Sequence, residues 1–112
     1  MSGTGPLSGL RVLEFEAIGA APFAGMMLAD MGADVLLVDR TSAPALGLES
    51  PRWAETMLRG RRSLTLDLKT PAGVTAALAL AARADVLIEG FRPGVMERLG
   101  LGPERLLAAN PK

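Results

Sequence analysis

The side chains best suited to chemistry in this chain are cations that recur at a few places. Arg59, Arg61 and Arg62 share one Arg-Gly-Arg-Arg block, Arg40 follows Asp39, Lys69 closes an Asp-Leu-Lys run, and Arg92 and Arg98 lie among glycines and a proline near the C-terminus. Ten of the 12 basic residues are arginine. Arginine offers a planar fork that grips phosphate or carboxylate with two hydrogen bonds, although arginine usage can equally follow from the base composition of a gene. The Arg59, Arg61 and Arg62 block therefore reads two ways, as a phosphate-binding cluster or as a solvated basic turn. Asp39-Arg40 reads as a ribose-recognising acid with a phosphate-binding arginine, or as a charged strand end in water. Arg98 reads as a ligand contact or as one half of a surface ion pair.

The residues that are missing exclude other chemistries. The chain has no Cys and no His, so it can build no disulfide, thiolate nucleophile, imidazole base or nitrogen and sulfur zinc site. Glu14 and Glu16 lie two apart and would share one face of a strand, but Glu14 sits inside that strand, facing a polar neighbour, and no acid and base pair emerges. The methionines at 26, 27, 31 and 57 read as apolar filler or local surface anchors.

The elements that must position these groups alternate between two hydrophobic periods. Leu10 to Phe15 reads as a short strand ending at Glu16. A helix follows, with Pro22 at its first position, Phe23, Met26 and Met27 at helical spacing, and Gly32 as its left-handed stop. Residues 34–39 form a nearly continuous apolar run between two acids, the pattern of a strand buried on both faces. A second unit repeats the order. Residues 63–68 alternate as a strand, Thr70 and Pro71 supply an N-cap and a first-turn proline, Val74, Ala77 and Leu78 begin an apolar helical stripe, and residues 85–89 form another buried strand. Glycines and prolines then divide the remainder into two short helices before Asn110. Residues 41–58 interrupt the alternation as a long connection, with a helical turn expected around Trp53 to Leu58; it is either functional or a surface excursion.

Two βαβ units predict an α/β fold with a parallel sheet. Ligands of such sheets bind beyond the carboxyl ends of the strands, here residues 16–21, 39–40, 67–69 and 90–92. The first of these loops is built of small side chains that lead into a helix N-terminus, where free N–H groups favour an anion; a tight turn explains the same residues. It lacks the Gly-x-Gly-x-x-Gly spacing of a dinucleotide loop. Taken together, the strand ends point to a phosphorylated adenosine ligand.

Length and charge set the remaining bounds. A chain of 112 residues fits one domain that buries roughly 65% of its unfolded surface, or a part of a larger one. Zero formal net charge argues against a nucleic-acid partner. The longest uncharged apolar stretch, residues 17–29, has 13 residues, fewer than the roughly 20 that cross a bilayer. The N-terminus lacks the layout of a signal peptide. No membrane association and a cytoplasmic location are expected.

Three ordered blocks resemble a known family. Residues 6–15, Pro-Leu-Ser-Gly-Leu-Arg-Val-Leu-Glu-Phe, with residues 22–35 after them, resemble the N-terminus of class III CoA-transferases and α-methylacyl-CoA racemases. So do Arg59-Gly60-Arg61-Arg62-Ser63 with Leu66-Asp67-Leu68-Lys69, and residues 85–100 from Asp85-Val86-Leu87-Ile88-Glu89-Gly90 to Leu99-Gly100. The resemblance implies that residues 1–112 are the N-terminal part of a Rossmann-like, CoA-binding large domain, with the rest of that domain and the small domain absent. It implies an acyl-CoA substrate carrying coenzyme A, no metal, and an interlaced homodimer in the full-length enzyme. Carried over position by position, the CoA contacts fall on Ala17, Ile18 and Gly19, on Arg40, on Leu66 and Lys69, on Gly90 and Phe91, and on Arg98 and Leu99. The first loop departs from many relatives, with Ala20-Ala21 in place of Pro-Gly and no polar side chain at Ala17 or Gly19. The family's catalytic residues, a His and an Asp in racemases and an Asp in transferases, would lie beyond Lys112.

The resemblance places racemisation of 2-methylacyl-CoA thioesters first, on Asp39-Arg40 and the Arg-Gly-Arg-Arg block, and CoA transfer between carboxylic acids second. Two other readings stand beside these. The chain could act alone as a non-catalytic CoA or nucleotide-binding module. As a truncated product without function, it would expose a sheet edge and aggregate.

Overall fold

The computed structural model describes residues 4–17, 19–39 and 59–111. Strand β1 (Arg11–Phe15) leads into helix α1 (Ala20–Asp30) and strand β2 (Asp34–Asp39); strand β3 (Arg62–Thr65), helix α2 (Pro71–Ala81) and strand β4 (Val86–Ile88) follow, then the short helices α3 (Val95–Arg98) and α4 (Pro103–Ala109). Among the described residues the strands form one four-stranded sheet in the order β3-β2-β1-β4, and every pairing is parallel. The expected alternating α/β architecture is thus observed. The helical turn expected around Trp53, the connection at 41–58, Met57, Ile18 and Arg40 lie outside the described residues.

Strand pleating sends successive side chains of β1 to opposite faces of the sheet. Leu13 and Phe15 join Val38, Ala77, Ala81, Met96 and Leu101 in the larger core, under α2 and the segment after β4. Val12 points the other way and packs with Ala33 and Val35, against Leu28 and Ala29 of α1. Helices therefore cover both faces, and β1 and β2 are buried as their apolar runs predict. The edge strands differ from expectation. Residues 85–89 read as a strand buried on both faces, but β4 is shorter and Val86 is 37% exposed. Likewise β3 covers Arg62–Thr65 instead of 63–68, with all four residues exposed. Each pairs with one neighbour only among the described residues, so an apolar pattern like that of β2 does not bring the same burial. Outside β4 lies a groove of about 290 Å³ lined by Ala81, Val86, Pro103, Leu106 and Leu107 among others.

Helix α1 begins two residues earlier than the proline predicts, with Gly19 as N-cap at φ 93°, a conformation that side chains with a Cβ avoid. Pro22 falls third in the helix, where the N–H it lacks would have no intrahelical acceptor. Gly32, at φ 100°, ends the helix as expected. At α2, Thr70 Oγ1 accepts from the Gly73 N–H at 3.1 Å and donates to the Asp67 carbonyl at 2.8 Å. Thr70→Ala is expected to lower stability by about 1 kcal/mol in a urea titration.

Sequence reasoning assigned no task to Asn110. Its Nδ2 donates to the carbonyls of Ala81, Ala82 and Ala84 at 3.1, 3.3 and 2.9 Å, satisfying acceptors that the end of α2 leaves open. Asn110→Ala should cost about 1–3 kcal/mol, since the partly buried carbonyls of Ala81 and Ala84 lose this donor; the shift of the denaturation midpoint measures it. Among the described residues no helix is long and apolar enough to cross a membrane.

Candidate functional site

A parallel sheet of order β3-β2-β1-β4 reverses its winding between β1 and β4, and the crevice outside their carboxyl ends is where ligands of such sheets sit. Two loops meet there. The backbone of Gly90, just past β4, approaches the segment past β1 so closely that a Cβ on it would stand 3.0 Å from Ala21 Cβ and 3.3 Å from Ala17 Cβ. Small side chains are thus required by a close approach of two backbones. Phe91 folds back toward Phe15, with ring centroids 6.3 Å apart, and its N–H donates to Glu89 Oε2 at 2.8 Å. Gly19 is exposed at the mouth of the first loop.

Of the other described candidate positions, Leu66 and Lys69 lie past the carboxyl end of β3. Leu66 follows β3, and its N–H continues the ladder by donating to the Asp39 carbonyl at 3.1 Å. Lys69 is exposed in the turn before α2, its N–H donating to Asp67 Oδ1 at 3.1 Å. Leu66 and Leu99 pack against the larger core, so each offers a ligand only its partly exposed side. Arg98, in the last turn of α3, is exposed. Three strand spacings of ~4.8 Å separate the end of β3 from that of β4, about 14 Å in all. The structure therefore brings Ala17 and Gly90 together past β1 and β4, with Phe91 next in the chain, and sets Leu66 and Lys69 farther along the edge, where only an elongated ligand would meet both. Among the described residues no group of three or more acids could hold a metal ion.

In the Arg-Gly-Arg-Arg block Arg59 and Arg62 are solvated, as the basic-turn reading has it, whereas Arg61 is buried. The block leads into β3 and so lies toward the amino ends of the strands, away from the crevice. Each arginine has an acidic partner. Arg59 binds Asp30 at 2.7 Å and Arg62 binds Asp34 at 2.9 Å, both at the surface. Arg61 instead runs under α1 and ion-pairs with Glu14, their side chains 1% and 0% exposed. Glu14 thus does face a polar neighbour, as its place inside the strand suggests. Above the pair lies Gly25, where a Cβ would overlap both Glu14 Oε1 and Arg61 Nη1. Glu14 Oε2 and Arg61 Nε and Nη2 are buried with no hydrogen-bond partner among the described residues.

Two carboxyls respond oppositely to pH. Burial pushes the Glu14 carboxyl above its ordinary value of 4.5, and the hydrogen bond and charge of Arg61 offset this only in part. The folded state then holds this proton more tightly than the unfolded chain does. Its stabilisation is full below the ordinary glutamate value and is lost as pH rises through the raised one. The hydrogen bond from Arg59 holds Asp30 below its ordinary 3.8, so that contribution is present above the ordinary value and lost as pH falls through the lowered one. Glu14→Gln, which cannot titrate, should gain stability relative to the parent as pH rises from acid to neutral; urea denaturation of both across that range reads the difference.

Comparison with known proteins adds a finding that geometry cannot supply. A family model described as CoA-transferase family III matches residues 7–112. The chain is 51% identical over 106 residues to the α-methylacyl-CoA racemase of Mus musculus, covering 95% of this chain and 26% of that one. It is 39% identical over 117 residues to the succinyl-CoA–D-citramalate CoA-transferase of Chloroflexus aurantiacus, covering 95% and 28%. A crystal structure of a hypothetical protein from Mycobacterium tuberculosis superposes with a TM-score of 0.85 at 42% identity, over 98% of this chain and 32% of that one. The chain thus spans about a quarter to a third of the length of the relatives it matches.

Proposed function

The chain belongs to CoA-transferase family III, and from that premise we propose that it is the N-terminal part of the CoA-binding domain of an acyl-CoA enzyme, an α-methylacyl-CoA racemase. The observation that carries this reading is the 51% identity to the mouse racemase along nearly the whole chain, against 39% to the citramalate CoA-transferase. A racemase would exchange the α-proton of a 2-methylacyl-CoA thioester, whose carbonyl acidifies that carbon, between bases on opposite faces. Those bases would come from the remainder of such an enzyme, and this chain would supply the grip on CoA. Similarity to transferases keeps CoA transfer between carboxylic acids as the second reading.

In this reading Ala17, Ile18, Gly19, Gly90 and Phe91 line the path of the ligand at the crevice, with Leu66 and Leu99 as apolar contacts. Arg40, Lys69 and Arg98 meet the phosphates. An interlaced homodimer would complete the enzyme.

Calorimetric titration of CoA and of NADP separates the ligand classes. Tighter binding of CoA is expected, and tighter binding of NADP would sink the assignment. Arg40→Ala and Lys69→Ala should each weaken CoA binding about 10-fold, or ~1.4 kcal/mol, as a charge-assisted contact is lost. Incubation of a 2-methylacyl-CoA in deuterium oxide with the longest polypeptide the gene encodes decides the reaction. Deuterium at the α-carbon is the racemase outcome, whereas CoA moved to an added carboxylate, with the α-proton retained, is the transferase one.

A further inference from the structure

The buried Glu14–Arg61 pair lies away from the carboxyl ends of β1 and β4, yet it sits under the helix whose first turn packs against Gly90 there. Helix α1 rests on its sheet face through Ala21, Pro22 and Gly25, which are buried. At Gly25 the material between helix and strand is the Glu14 carboxylate and the Arg61 guanidinium, with no room even for a methyl group. One helical turn earlier, Ala21 packs directly against Gly90, so closely that a Cβ on Gly90 would stand 3.0 Å from the Ala21 Cβ. A helix is stiff over one turn, so its height at Gly25 sets its height at Ala21.

We propose that Glu14 and Arg61 are positioning residues, which hold α1 at the height over the sheet that seats Ala21 against Gly90 and so fixes where Gly19 and Gly90 present their backbone to CoA. The pair acts through Gly25 and Ala21 and touches no ligand. This rests on the CoA reading above. Two features distinguish it from simple core filling. The pair leaves three buried polar atoms without a protein partner among the described residues, a cost that an apolar core would avoid. It also joins the interior strand β1 to the residue just before β3, under the helix whose first turn packs against Gly90.

The test compares three variants of the protein as its gene encodes it. Glu14→Leu with Arg61→Met replaces the pair by apolar groups of different shape, a change that folds tolerate well. These make no hydrogen bond between β1 and the start of β3 and so no longer fix the spacing under Gly25. Glu14→Gln keeps the shape of the carboxylate and its contact with Arg61. Asn110→Ala weakens the fold far from α1. Calorimetric affinity for CoA, corrected for the folded fraction, is expected to fall about 10-fold in the double variant, to recover with Glu14→Gln, and to stay at the parental value in Asn110→Ala. In the enzyme reaction the double variant raises KM and leaves kcat unchanged. Parental affinity in a folded double variant would overturn the proposal, and so would an equal loss in Asn110→Ala.

If the parent binds no CoA, the reading of the ligand fails, and the positioning role is still decided without it. The backbone amide resonances of Gly19, Ala21 and Gly90 in the free protein should shift in the double variant and stay in place in Asn110→Ala. Unmoved resonances in the double variant would reject the role.

Discussion

Replacing Gly25 by alanine is expected to destabilise the protein by about 1–3 kcal/mol, although on an exposed helix the same change would stabilise it by up to ~1 kcal/mol. The added methyl group would coincide with Glu14 Oε1 and stand against Arg61 Nη1. Both belong to fully buried side chains, so neither can swing into water. Either α1 lifts from the sheet, at the usual overpacking cost of about 1–3 kcal/mol, or the ion pair parts inside the core, which costs about 3–5 kcal/mol. A double-mutant cycle identifies the cause. In a Glu14→Ala, Arg61→Ala background the methyl group has room, and the cost of Gly25→Ala should fall below about 1 kcal/mol. An unchanged cost in that background would place the clash elsewhere.

Arg61→Ala is the second large effect, expected at about 3–5 kcal/mol at neutral pH. The substitution strips Glu14 of its cation and empties the space under α1, and the carboxyl, already held above its ordinary pKa by burial, must take up a proton to stay inside. The loss should therefore shrink as pH falls and the proton comes free of charge to the fold. Urea unfolding of parent and variant at acid and neutral pH gives the two differences. By contrast Arg62→Ala, whose partner Asp34 lies at the surface with the guanidinium 63% exposed, should cost no more than about 1 kcal/mol. Two arginines adjacent in sequence thus differ because one runs inward under a helix and the other lies in water.

Much of the fold was legible because it follows from local rules. The apolar run of residues 34–39, the Thr70-Pro71 start, the Gly32 stop and the glycine-bounded helices after β4 all form as read, since cap, proline and period act within a few residues. The common direction of the strands, which puts all their carboxyl ends on one edge, was legible too. Burial of the edge strands was not. Residues 85–89 and 34–39 have nearly the same apolar pattern, and only strand order separates a β2 flanked on both sides from a β4 at the margin. Asn110 was missed for a related reason, because its acceptors lie 26 to 29 residues away in a helix end that sequence distance conceals.

The arginine block states the division most clearly. By itself the amino-acid sequence determined an alternating α/β chain, an absence of imidazole and thiol chemistry, a set of strand ends, and three blocks shared with one enzyme family. Only the tertiary structure decided which of the charges serve the fold. Arg59, Arg61 and Arg62 find Asp30, Glu14 and Asp34 because β3 pairs beside β2 and brings its amino end against theirs. The direction of a long charged side chain is set by partners distant in sequence, and no local pattern of residues encodes them.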